Sequence, residues 1–289
     1  MPHANPELER IEGFNPSIRV LPTPGRDVGV TALKKRLPIG TTLKSSELRE
    51  IADHLKEEAF FSARVSIAEV VQKLKTQVEE ILGAGEQGMS IPEARLALKE
   101  YLPTSGYQAP AGEAGTIADL TTSARQNLVL KTQIEMAQGL GWKVAGQSRA
   151  VLDAYPAQEL YRAVDKTVPR DWQERWQAAG GTLFDGRLIA RKDSEVWQSI
   201  GDGAGGYTDT LGNDFPPFAF NSGMDLRDVP RAEAIELGVI TAEDEVQPSE
   251  VDAGEILSKP EVTDESLRDS LLDTLGGGFS FKEGVLSKA

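Results

Sequence analysis

Apolar residues recur at three- and four-residue spacing through the first third of the chain. Leu48, Ile51, Leu55 and Ala59 form one stripe behind Ser46, which is placed to cap a helix opening at Glu47. Ile67, Val70, Val71, Leu74, Val78 and Ile81 form a second, predicting a helix from about Ser66 to Leu82 that Gly83 and Gly85 terminate. A third opens on Ser90-Ile-Pro-Glu93, a capping-box spacing with proline in the first turn, where its missing N–H is harmless. Its apolar face holds Ile91, Ala94, Leu98 and Tyr101, and Pro103 stops it. Three stripes that need one another predict a helical cluster over 44–104.

Glycine and alanine then make a hinge at Gly106, Pro110, Gly112 and Gly115. A long helical stretch is expected over Ile117–Ala145, with Gly139 and Gly141 placed to kink or break it. Another short helix fits Ala157–Val164, after Tyr155-Pro156. Pro169-Arg-Asp-Trp-Gln-Glu-Arg-Trp176 opens one more, where Asp171 complements the helix dipole. Trp172 and Trp176 are four apart and share one face, which serves either a core or a partner. The period then changes. Gly180-Gly181 ends the helix, and Thr182 to Ala190 reads as a hairpin turning at Asp185-Gly186. A glycine-rich loop (201–212), an irregular Phe215-Pro-Pro-Phe-Ala-Phe-Asn-Ser-Gly223 and a short helix over Pro230–Leu237 complete a region spanning 105–240.

Both ends lack this regularity. Residues 1–43 hold six of the 16 prolines, a spacing that interrupts helix and ladder and predicts an extended arm. From Ile18 to Arg49 that arm is basic: Arg19, Arg26, Lys34, Lys35, Arg36, Lys44 and Arg49 stand against Asp27 and Glu47. It reads as a solvated linker, or as an arm lying on a partner subunit or on DNA phosphates. Residues 241–289 carry 12 acids against four bases, more than half of the chain's net −14. Within them Leu267, Leu271, Leu272 and Leu275 mark one amphipathic docking helix in a disordered tail. The expected fold is therefore mainly α with a small β element (α+β), between an extended N-terminal arm and an acidic, partly disordered C-terminal tail.

The net charge disfavours nucleic acid or an anionic membrane as a partner for the whole surface. No run of 18 apolar residues occurs and the N-terminus has no apolar signal core, so a soluble protein is expected. Cysteine is absent and His3 and His54 are the only histidines, which excludes disulfides, thiol catalysis and multi-histidine metal centres. Gly201-Asp-Gly-Ala-Gly-Gly206 lacks the Lys-Ser/Thr of a phosphate loop, and a calcium loop begun at Asp202 would place Ala204 and Gly206 at ligand positions. Ser222 has no nucleophile elbow around it. Asp202, Asp209 and Asp214 remain as candidates for a carboxylate-dependent hydrolase. The stretch Arg162–Lys192 has seven bases against four acids, interleaved with two tryptophans, and reads as a salt-bridged helix rather than a stacking surface for nucleic acid. No catalytic residue, cofactor or metal is assigned, and the expected class is not an enzyme.

One ordered set of segments goes further. It runs through Ile91-Pro-Glu-Ala94, Gly106-Tyr107, Gly115-Thr-Ile-Ala-Asp-Leu120 and Arg125-Gln-Asn-Leu-Val-Leu-Lys-Thr132. It continues with Pro156–Arg162, Pro169–Trp176, Ala179–Gly181, Gly186–Ala190, Phe215–Met224 and Arg231–Gly238. Over about 90–240 this resembles the minor head (head-morphogenesis) proteins of tailed bacteriophages. Where better-known members carry a Cys-rich Asn-Cys-Arg-Cys pattern, Phe215–Met224 here holds neither Cys nor His. The resemblance implies a multi-copy virion protein, made in the host cytoplasm and placed at the capsid's portal vertex, assisting head assembly and genome packaging or passage. Its implied partners are portal and/or major capsid subunits, with local DNA phosphate contact through the basic arm and no membrane. A neck adaptor, a capsid decoration, an internal scaffold and a host-directed adaptor docking through its tail are the alternatives. Candidate partner contacts are Trp172, Trp176, Phe215, Phe218, Phe220, Leu267, Leu271 and Leu275.

Overall fold

A computed structural model describes residues 23–48, 51, 53–83, 88–249, 251, 253–275 and 278–289. The fold is mixed α+β with helix predominant. Residues 1–22 of the expected arm lie outside the described residues. From Thr23 the arm expectation fails, because a helix, α1 (Thr23–Lys35), stands there. Pro24 falls in its first turn and Pro38 beyond its end, so the two prolines bracket the helix instead of breaking it. Two short strand segments follow, β1 (Leu37–Pro38) and β2 (Gly40–Thr41).

The first expected helix of the cluster divides into α2 (Ser45–Leu48) and α3 (Asp53–Glu58), and Ala59 passes into β3 (Ala59–Phe60), which pairs in parallel with β1. The apolar stripe was nevertheless read correctly: Leu48, Ile51, Leu55 and Ala59 are all buried. Helices α4 (Ala68–Gly83) and α5 (Ile91–Tyr101) match their stripes, and the Ser90–Glu93 capping box is formed in both directions. Next comes α6 (Ser123–Ala145), capped by the Thr122 hydroxyl. Gly139 and Gly141 do not break it. A Cβ at Gly139 would strike the Pro216 carbonyl, so that glycine admits a neighbouring backbone. Val30 and Leu33 of α1, Val70, Val71, Leu74 and Val78 of α4, Leu98 of α5 and Leu130 and Ile134 of α6 share one core.

Beyond α7 (Arg149–Ala154), the helix expected over Ala157–Val164 is instead a strand, β4 (Ala157–Arg162). After α8 (Trp172–Ala178) come β5 (Leu183–Phe184), β6 (Arg187–Arg191), α9 (Val196–Gly201), β7 (Met224–Val229) and α10 (Arg231–Glu236). The antiparallel sheet has the order β5-β6-β4-β7, with Leu160 opposite both Leu188 and Leu226. Both faces of this sheet are covered. Leu160 and Leu226 join the tryptophan core on one side, while Ala157, Ile189 and Val229 meet Ala234 and Ile240 on the other. A strand buried on both faces loses the polar–apolar alternation that would announce it, which explains why β4 reads as helix. The expected hairpin is present, with Asp185 and Gly186 both at positive φ as a two-residue turn requires.

The tail carries the expected amphipathic helix, with more regular structure around it than the sequence suggests. It contains α11 (Ala253–Ser258), α12 (Asp264–Leu275) and an antiparallel hairpin, β8 (Phe279–Lys282) with β9 (Val285–Lys288). β9 pairs in parallel with β2, so the two ends of the chain share a three-stranded sheet of order β2-β9-β8. No helix among the described residues is long and apolar enough to cross a membrane.

Candidate functional site

The expected contact residues fall into three environments. Trp172, Trp176 and Phe218 are buried in a core of this chain. Trp176 packs edge-on against Trp197 at 5.1 Å between centroids, and Trp197 stacks on Phe218 at 6.1 Å. The indole N–H of Trp176 donates to the Thr182 carbonyl and that of Trp197 to the Arg191 carbonyl, each at 2.8 Å. Gly181 is required beside Trp176, whose ring occupies the place of a Cβ there. Leu267 and Leu271 are buried too, and Leu275 packs beside them, against Ile39, Leu43, Leu48, Ile51 and Leu55. The amphipathic helix docks on its own chain. Phe215 and Phe220 are half-buried, each lining a different cavity.

The basic stretch around α8 is satisfied internally, as its salt-bridged reading expects. Arg175 grips Asp209 with two hydrogen bonds of 2.8 and 3.2 Å while lying over the Trp172 and Tyr207 rings. Arg170 meets the same carboxylate at 2.8 Å and donates to the Phe220 carbonyl at 2.7 Å. Burial pushes the Asp209 carboxyl up, but the hydrogen bonds and charge of Arg175 reverse this and hold it below its ordinary value. Buried Glu159 on β4 is clasped by Arg187 and Arg227, which likewise overcome burial and hold its carboxyl low. Arg191 pairs with Asp193 at 2.7 Å and Lys192 with Asp228 at 2.6 Å.

The three loop carboxylates do not act together. Asp209 is held by two arginines, Asp214 pairs with Lys143, and Asp202 accepts from Gln198 at 2.7 Å. Among the described residues there is no group of three or more side chains able to hold a metal ion. Comparison with known protein families, with curated proteins and with solved structures finds no match for this chain.

Three of the cavities among the described residues adjoin these elements. One of about 50 Å³ lies where α6 meets the cis Pro216-Pro217 segment and β7, with Glu135 and Asp225 on its wall. Burial raises the Glu135 carboxyl, and Lys131 at 3.4 Å offsets only part of that. A second, of about 300 Å³, is bounded by the charged side chains of Lys143, Lys192 and Asp214 and by the rings of Trp142 and Phe215. The third, of about 120 Å³, opens between the N-terminal segment and α6, where Arg36, Lys56 and Arg125 sit among apolar side chains.

Sequence reasoning missed this third site. Arg36 follows Lys34-Lys35 and passes for a basic helix end. The available signal was Arg125, a cation in the first turn of α6 with no acid beside it, against the helix dipole. The other basic residues of the arm differ in how they are used. Arg19 and Arg49 lie outside the described residues, Lys35 donates to the Ile256 and Leu257 carbonyls at 3.0 and 2.7 Å, and Lys34 and Lys44 are exposed.

Proposed function

We propose that this chain is a structural virion protein of a tailed phage, a minor head protein near the portal vertex that assists head assembly and genome packaging or passage. The observation that carries the proposal concerns the segments bearing the resemblance. Pro169–Trp176, Ala179–Gly181, Gly186–Ala190 and Phe215–Met224 meet one another in a single packed body. Trp176 sits against Gly181, Arg170 bonds to Phe220, and Leu188 and Ala190 pack against the core that holds Trp176 and Phe218. Their distinctive residues thus serve as braces and core, the use expected of a protein whose product is an assembly. Such a chain meets portal or major capsid subunits through its outer surface, repeating one contact around a ring.

Mass spectrometry of density-purified particles and of their empty precursors tests this. A few to a few tens of copies per mature particle are expected. Loss of the chain between precursor and particle would reassign it as an internal scaffold. A chain found free in the lysate and never in particles overturns the virion role.

A further inference from the structure

The cavity between the N-terminal segment and α6 differs electrostatically from the rest of this acidic molecule. Leu48, Phe60, Leu128, Val129, Met136 and Phe220 supply apolar walls. Arg36, Lys56 and Arg125 also line it, and among the described residues no carboxylate does, in a chain with 45 acids and a net charge of −14. Its volume of about 120 Å³ is on the scale of a cavity that takes a benzene-sized guest (~150 Å³).

The two guanidiniums have donors to spare. Among the described residues Arg36 has no side-chain hydrogen-bond partner, and its Nε is buried. Arg125 donates through Nη2 to the Ser62 hydroxyl at 3.1 Å and the Ala63 carbonyl at 2.9 Å, yet its Nε is also buried and unpartnered. The charge of Glu57 acts on Arg36, but Glu57 is itself drawn to Lys259 at 3.4 Å. Arg64, close to Arg125, is already spent on Glu113 at 2.9 Å. Half-burying a cation without its counter-charge is unfavourable, and an anion offering carboxylate oxygens to the guanidinium Nη groups offsets that cost. The surrounding walls demand that the rest of such an anion be apolar.

We propose that this cavity binds a small organic carboxylate with an apolar body of about one ring, its carboxylate directed to Arg36 and Arg125 and its body set against Leu128, Met136 and Phe220. The proposal stands apart from the virion role and holds or fails independently of it.

Isothermal titration of the full chain with benzoate, benzyl alcohol and benzylamine compares one ring carrying a negative, neutral or positive head. Benzoate is expected to bind about tenfold or more tightly than benzyl alcohol, the margin of one or two charge-assisted hydrogen bonds. Benzylamine is expected not to bind. Arg36→Met keeps the stem, forfeits no internal hydrogen bond and is expected to weaken benzoate about tenfold while leaving benzyl alcohol unchanged. Leu128→Trp fills the cavity and is expected to abolish both, with circular dichroism confirming that each variant is folded. Equal binding of benzoate and benzylamine, benzoate affinity that survives Arg36→Met in a folded protein, or no saturation at millimolar benzoate overturns the proposal.

Discussion

The body around Trp176 and the body around Leu271 bury similar residues by different means. In the first, strands β4 to β7 and helices α8 to α10 come from one continuous stretch, and arginine–carboxylate clasps tie neighbouring elements. In the second, Ile39, Leu43 and Leu55 come from one end of the chain and Leu267, Leu271 and Leu286 from the other. Polar bonds also join those ends: Gly40 N–H to the Gly284 carbonyl at 3.0 Å, Thr42 N–H to the Leu286 carbonyl at 3.2 Å, the Thr41 hydroxyl to that same carbonyl, Lys35 to the Ile256 and Leu257 carbonyls, and Lys288 to Glu47 at 3.4 Å. One body therefore joins elements close along the chain, whereas the other joins apolar and polar groups across a very long loop. Closing such a loop is only slightly more costly than closing a moderate one. The two are expected to open as separate cooperative units.

The strongest way to break this comparison is to remove 260–289. Each leucine lost from the shared core forfeits about 1.5–3 kcal/mol, so amide protection should collapse over 37–66 while β4, β6 and β7 keep theirs. Equal loss in both regions would mean a single unit. Next in size, Trp176→Ala should cost about 3–5 kcal/mol and erase the near-ultraviolet signal of the tryptophan body. Protection in α12 should survive it. Glu159→Gln should cost less, about 1–3 kcal/mol, because its arginines are partly solvated; thermal melts followed by tryptophan emission would read the change. All four tryptophans, at 142, 172, 176 and 197, lie in or against this one core.

Acid gives the smallest and most selective effect. Glu159, Asp193 and Asp209 are held below their ordinary values, so their contribution is complete above the unfolded values, about 4. It is lost as pH falls through the lowered folded values. Tryptophan emission should therefore shift below about pH 4, before exchange over 37–66 accelerates. Glu135 runs the opposite way: its raised carboxyl makes Glu135→Gln mildly stabilising at pH 7, an advantage that disappears in acid.

What could be read from the sequence follows the same division. The stripes of α4 and α5, the capping box at Ser90 and the Asp185-Gly186 turn are set by residues near one another, and each forms as expected. Long-range partners override local signals elsewhere. β4 is covered on both faces, so its pattern carries no period of two. The segment after Thr23 folds because α6 and α11 receive it. Leu267 and Leu271 were visible as an apolar face, but nothing in their neighbourhood says that Ile39 and Leu43 would cover it. The charged cavity was the least legible feature, since Arg36, Lys56 and Arg125 are far apart along the chain and only the folded surface gathers them.

The pairing of β2 with β9 sets an order of events during synthesis. Thr41 leaves the ribosome 245 residues before the carbonyl it must bond. At about 5–20 residues per second, that interval is on the order of tens of seconds. The tryptophan body can finish within it, whereas Ile39 and Leu43 wait uncovered until α12 and β9 emerge. Chaperone occupancy on the nascent chain should accordingly peak over the N-terminal third and fall as the final hairpin clears the exit tunnel.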